Sequence, residues 1–179
     1  MIYYPDAFLD NLLLEDIQYG DLTCRALNIN HQLGTITFTC REAGCVSGIT
    51  LGCRLLEKLG LTVTAHLQEG DFAKQGDCLI SAEGRADALH QGWKVVQNVL
   101  EWSCGVSDYM AKMLEIYHRY QPKGQIACTR KNIPNTKLLA TQAVLAGGGI
   151  IHRQGCSETI LLFANHRHFL SEPDNWLQQ

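Results

Sequence analysis

Residues 124–164 read GQIACTRKNIPNTKLLATQAVLAGGGIIHRQGCSETILLFA. GQIACT (124–129) is a strand candidate, residues 135–146 have the spacing of a helix, and TILLFA (159–164) is a second, continuously apolar strand. Apolar strands alternating with helices are the pattern of parallel β/α packing. Two cations, Arg130 and Lys131, follow directly on the first strand; three glycines, Gly147, Gly148 and Gly149, stand just before a second cationic pair, His152 and Arg153. In β/α barrels the carboxyl ends of the strands gather the chemistry. A glycine run lets backbone amides approach an anion closely, and arginine offers a forked donor matched to phosphate. These residues predict an oxyanion site whose ligand is phosphorylated. Composition alone does not separate this from a flexible glycine turn with solvated cations at its rim.

Upstream of the linker QPKG (121–124) the pattern is different, which divides the chain into residues 1–120 and 121–179. Residues 6–16, with Asp6 as N-cap and Phe8, Leu9, Leu12 and Leu13 on one stripe, predict a short amphipathic helix, ended by YGDLT (19–23), where Asp21 caps a turn. In GTITFTCRE (34–42), Ile36, Phe38 and Cys40 alternate with threonines, as in a half-buried strand. A helix over 50–59 closed by Gly60, a second alternating run LTVTAHL (61–67) and the glycine-punctuated EGDFAKQGDCLISAEG (69–84) complete a β-rich lobe, read as an α+β sandwich. From Ala86, the residues Leu89, Trp93, Val96 and Leu100 share a helical face, with a break expected at Cys104–Gly105 and a further helix to Tyr120. Trp93 and Trp102 fall at helical positions and read as packing or dimer contacts.

Composition narrows the function. With 15 basic and 18 acidic residues and a formal charge of -3, the chain lacks the global basic field that holds nucleic acid or an anionic membrane, so any anion site is local. No apolar run reaches membrane-spanning length, and the amino terminus has acid where a signal peptide needs positive charge, which predicts a cytoplasmic protein. The eight cysteines include no C-x-x-C pair and read as reduced thiols, with Cys104 and Cys128 in the core. His166-x-His168 has no third ligand at suitable spacing, so no metal site is assigned to the protein itself.

The stretches EDIQYGDLT (15–23), REAGCVSG (41–48), EGDFAKQGD (69–77), QNVLEWSCGV (97–106), TRK (129–131), AVLAGGGIIHRQG (143–155) and FANH (163–166) occur in an order and spacing that resemble the nicotinate-nucleotide pyrophosphorylases, also called quinolinate phosphoribosyltransferases. The closer resemblance is to their molybdenum-transport-associated relatives, which share the pattern WKVVQNVLEW and an apolar residue before ANH. The resemblance covers nearly the whole chain. It implies an α+β N-terminal sandwich followed by an open β/α barrel, and transfer of a phosphoribosyl group from phosphoribosyl pyrophosphate with Mg2+. Arg130, Lys131, His152 and Arg153 match the family's catalytic cations, and Lys137 matches a basic substrate-binding position after a proline turn. Lys94 holds the place of an arginine that reaches a neighbouring subunit's site, which implies a homodimer.

The departures from the pattern carry their own expectations. The family has lysine where this chain has Thr141 and Phe163, acid at Ala164 and glutamate at Trp93. Two missing cations and an added ring make a substrate site with Phe163 in it a poor match for a small dicarboxylate such as quinolinate. The resemblance also implies further βα units after TILLFA, so the chain reads as a C-terminally truncated relative with an incomplete barrel. The alternatives are a non-catalytic relative that keeps only the sandwich and dimer surface, and a molybdate-type oxyanion binder.

Overall fold

A computed structural model describes residues 2–171 together with 174 and 175. Helix α1 (Asp6–Leu14) follows Pro5 and buries Leu9 and Leu13. The Asp21 carboxylate then caps helix α2 (Leu22–Ala26) by accepting from the Cys24 amide. That backbone hydrogen bond holds the Asp21 carboxyl below its ordinary pKa. The expected turn cap is therefore the start of a five-residue helix, too short to display a 3.6-residue period.

The chain continues through β1 (Leu33–Thr39), β2 (Gly44–Cys45), α3 (Ile49–Lys58), β3 (Thr62–Ala65), β4 (Phe72–Ala73) and β5 (Cys78–Arg85). An antiparallel sheet runs in the order β1-β5-β3, and β2 pairs with β4 in a second, two-stranded sheet. The register sets Ile36 opposite Ala82, Phe38 opposite Ile80, and Val63 opposite Ala82. The period of two puts these apolar residues on one face and Thr35, Thr37, Thr62, Thr64, Ser81 and Glu83 on the other. Helix α3 packs on the apolar face closely enough that a Cβ on Gly52 would lie 2.9 Å from Ile80 Cδ1 and 3.2 Å from Val96 Cγ1.

The N-terminus of α3 is closed from outside the helix. Glu69, in the β3–β4 turn, accepts from Ser47 Oγ at 2.8 Å, from the Gly48 amide at 3.0 Å and from the Thr50 amide at 3.0 Å. A carboxylate here satisfies otherwise unpaired helix amides and sits favourably in the positive end of the helix dipole.

Helix α4 (Ala86–His118) has 33 residues, a rod of about 50 Å. The break expected at Cys104–Gly105 does not occur. A Cβ on Gly105 would meet nothing within 4 Å, so the glycine sits on an open face, while buried Ser103, Ser107, Met110 and Leu114 continue the inward face past it. Packing outweighs the roughly 1 kcal/mol that one glycine costs a helix. The first part of α4 lies on the large core with Leu89, Val95, Val96, Val99 and Leu100; its end supports a smaller cluster of Met110, Leu114 and Val144.

Past the linker come β6 (Ala127–Cys128), α5 (Lys137–Ala146), β7 (Ile150–Ile151) and α6 (Ala164–Arg167). Strands β6 and β7 are parallel, joined by the α5 crossover. The expected β/α unit is present, with a different second strand. TILLFA is not a strand: Ile160 is 99% exposed and α6 begins at Ala164, so the continuous apolar run lacks a ladder partner among the described residues. The second strand is the dipeptide after the three glycines, where two residues are too few to show a period. Among the described residues no helix is long and apolar enough to cross a membrane.

Replacing Glu69 with Ala removes three hydrogen bonds to a charged acceptor and is expected to lower unfolding stability by about 2 to 3 kcal/mol. Urea unfolding monitored by circular dichroism checks this; a midpoint equal to that of the parent would mean the α3 terminus does not need the carboxylate.

Candidate functional site

Parallel pairing fixes which side chains meet. The Ile150 amide donates to the Ile126 carbonyl at 2.9 Å and the His152 amide to the Cys128 carbonyl at 3.0 Å. The chain therefore leaves both strands at one end, carrying Arg130 and Lys131 from β6 and His152 and Arg153 from β7. Arg130 and Arg153 line one cavity of about 480 Å³, together with Cys156, Glu158, Phe163 and His166.

The contacts within it are specific. Arg130 Nη1 donates to Cys156 Sγ at 3.1 Å, and Arg153 Nη1 donates to the Thr159 carbonyl at 3.3 Å. The Gln154 amide donates to a Glu158 carboxylate oxygen at 2.6 Å, closing the intervening loop. Among the described residues, neither arginine forms an ion pair with a carboxylate. Within the same lining the Phe163 amide donates to His166 Nδ1 at 3.0 Å, and the two rings stack with centroids 5.8 Å apart. His166 is thus committed to a local cap, and no group of three His, Cys, Asp or Glu among the described residues is placed to hold a metal ion.

The other residues expected at the site are dispersed. Lys131 and His152 are exposed at the same strand ends without lining the cavity. Lys137 is exposed on the first turn of α5. Lys94 is exposed on α4, its ammonium 5.6 Å from the Trp93 ring centroid and 2.9 Å from Gln97 Oε1. Thr141, at a position of family lysine, is only 6% exposed within α5, whereas Phe163 does face the cavity.

The three glycines are not brought to the cations. They precede β7, at the strand end opposite Arg153, and all three amides are spent on the end of α5: Gly147 to Ala143, Gly148 to Leu145 and Gly149 to Val144, each at 3.0 Å. Packing explains them instead. A Cβ on Gly147 would clash with the Ser107 carbonyl and with Met110, one on Gly149 would lie 2.8 Å from Met110 Sδ, and Gly148 has φ of +84°, where glycine is favoured. Cys156 and Glu158 were missed by the sequence reading; nothing in their spacing marks them.

A second, open cavity of about 580 Å³ lies between the β1–β2 segment and α4, lined by residues including Cys40, Cys45, Trp93, Glu101, Cys104 and Asp108. Two of its acids, Glu101 and Asp108, already have partners. Arg41 lies 3.6 Å from Glu101; Asp108 accepts from the Cys45 amide at 3.3 Å and pairs with Lys112 at 2.6 Å. Burial pushes the Cys104 thiol up to about 11 and raises that of Cys45, so these thiols are protonated at neutral pH.

Residues 21–104 match the family model for the quinolinate phosphoribosyl transferase N-terminal domain, and residues 106–179 match the model for its C-terminal domain. A protein of Escherichia coli O6:H1 named pyrophosphorylase ModD is 62% identical over 98% of this chain and 62% of its own length. A Bacillus subtilis (strain 168) protein named as a carboxylating nicotinate-nucleotide pyrophosphorylase is 30% identical over 88% of this chain and 54% of its own. The crystal structure of NadC from Streptococcus pyogenes superposes with a TM-score of 0.85 at 26% identity, covering 94% of this chain and 61% of that one. The chain thus spans 62% of the length of its Escherichia coli relative. Matched by both domain models in succession, the chain belongs to the quinolinate phosphoribosyl transferase family.

Proposed function

We propose that this chain carries the phosphate-binding part of a phosphoribosyl-transfer site, at which phosphoribosyl pyrophosphate gives up pyrophosphate to an acceptor. The observation that supports this best is the meeting of Arg130 and Arg153 in one cavity at the carboxyl ends of two adjacent parallel strands. As the anomeric bond breaks, oxocarbenium character grows on the sugar and negative charge on the leaving group. Guanidiniums already in place bind that charge without reorganising. Lys131 and His152 extend the positive edge, and Lys137 stands at the start of the crossover helix. In this reading β6–α5–β7 begins a β/α barrel, and Lys94 serves the site of a neighbouring subunit in a homodimer.

The cavity's charged lining, two guanidiniums with Glu158, does not form a donor set for magnesium, which takes oxygen ligands in an octahedron. Mg2+ enters instead with the diphosphate, as part of the substrate. The molybdenum-associated branch of the family is supported by the ModD name of the relatives. A molybdate-type oxyanion binder is the second reading, favoured by the same two guanidiniums, free of carboxylate partners among the described residues. Calorimetry with phosphoribosyl pyrophosphate and with molybdate separates the two.

Arg130→Ala and Arg153→Ala are each expected to weaken phosphoribosyl pyrophosphate binding by about 1.5 to 3 kcal/mol, the value of a hydrogen bond to a charged group. Unchanged affinity in both variants refutes the assignment of the cavity.

Phe163 and Thr141 differ in what a lysine would do. Phe163→Lys adds a cation facing the cavity and is expected to tighten quinolinate binding about tenfold, as one charge-assisted hydrogen bond would. Thr141→Lys buries a charge inside α5 and is expected to cost about 2 kcal/mol or more of stability with no gain in binding. Titration calorimetry and thermal unfolding of the two single variants test this; a gain from Thr141→Lys alone would place that position at the site after all.

A further inference from the structure

The loop that follows the second cationic strand end has a property that the family match does not assign. Both guanidiniums are held by uncharged acceptors on it, a thiol sulfur for Arg130 and a peptide carbonyl for Arg153. A carboxylate in either place would orient the guanidinium equally well but neutralise most of its field at the cavity. The cavity does contain a carboxylate, Glu158, and it is turned away from both arginines onto the Gln154 amide. One loop of six residues, 154–159, thus does two things: Glu158 staples it shut, and Cys156 and Thr159 then present acceptors to arginines arriving from two different strands.

We propose that Cys156 is a positioning residue for Arg130, fixing the guanidinium by a neutral hydrogen bond so that its whole charge faces a bound anion. This rests on reading the cavity as an anion site. A long flexible side chain on an exposed strand end loses rotamer freedom when it binds phosphate, and an acceptor that holds it beforehand removes part of that cost. Sulfur suits the task because it is a weak acceptor, sufficient to orient the fork and easily outcompeted by an anion for the remaining N–H groups. Serine preserves an acceptor of similar reach; alanine does not.

The test is the binding of inorganic pyrophosphate, measured by titration calorimetry on the parent chain and on Cys156→Ala, Cys156→Ser, Arg130→Ala and the double variant Arg130→Ala/Cys156→Ala. Cys156→Ala should bind about three- to tenfold more weakly, the worth of one orienting hydrogen bond. Cys156→Ser should return to within about twofold of the parent, and the double variant should bind no more weakly than Arg130→Ala, because the thiol acts only through that guanidinium. Thermal midpoints equal to that of the parent are expected for all four, since Cys156 and Arg130 are both exposed. Equal affinity in the parent and Cys156→Ala overturns the positioning role while leaving the anion site standing. A further loss in the double variant overturns the route through Arg130. Failure of the parent itself to bind pyrophosphate overturns the anion reading and the inference together.

Discussion

The position of everything after the linker depends on one close approach, between the end of α5 and the second half of α4. Gly147 lies against the Ser107 carbonyl and Met110, and Gly149 against the Met110 thioether, with no room for a side chain. The same junction meets the N-terminal layer: Cys45 Sγ lies 3.5 Å from the Ala146 carbonyl, and a Cβ on Gly70 would come within 3.0 Å of that oxygen. Ser107 completes it by donating to the Cys45 carbonyl at 2.7 Å. Three elements thus share one contact, and β7, which begins directly after it, takes its place from them. Since Arg153 is two residues beyond β7, its location at the cavity is a consequence of backbone packing on the far side of the strand.

Much of the N-terminal layer is legible in the sequence because its signals are long enough to be periodic. The alternation through Ile36 and Phe38 gives β1 and the spacing from Leu89 to Leu100 gives the first part of α4. The failures are all short or tertiary. Two residues make β7, five make α2, and Gly105 looks like a break only until it is known to face open space. TILLFA misleads for the opposite reason: an apolar run states what a strand could bury but not whether a neighbour offers it hydrogen bonds.

The site divides in the same way. Arg130 is readable because a cation directly after a strand in a β/α pattern has few other places to point, whereas Arg153 stands out in the sequence only for following the glycines, since the two-residue strand before it gives no signal. The glycines invite a ligand reading because amide access and close helix packing demand the same residue, and only the hydrogen bonds to Ala143, Val144 and Leu145 tell the two apart. Cys156 and Glu158 are silent in the sequence, since their partners sit on a different strand or within an irregular loop.

The unequal size of the two hydrophobic clusters on α4 sets how the chain breathes. Residues of α3, β5 and the first half of α4 belong to the extensive core, whereas the end of α4 and the last turn of α5 rest mainly on Met110, Leu114 and Val144. Sub-global opening is cheapest where little apolar surface is buried, so the β6 and β7 strand ends, which rest on the smaller cluster while α5 is tied to the large core through Leu139, open at a lower free energy than the layer beneath them. An anion that binds only the closed arrangement then shifts this local equilibrium by RT ln(1 + [L]/Kd). Ligand concentration, rather than the core alone, would govern how long the two strand ends stay together.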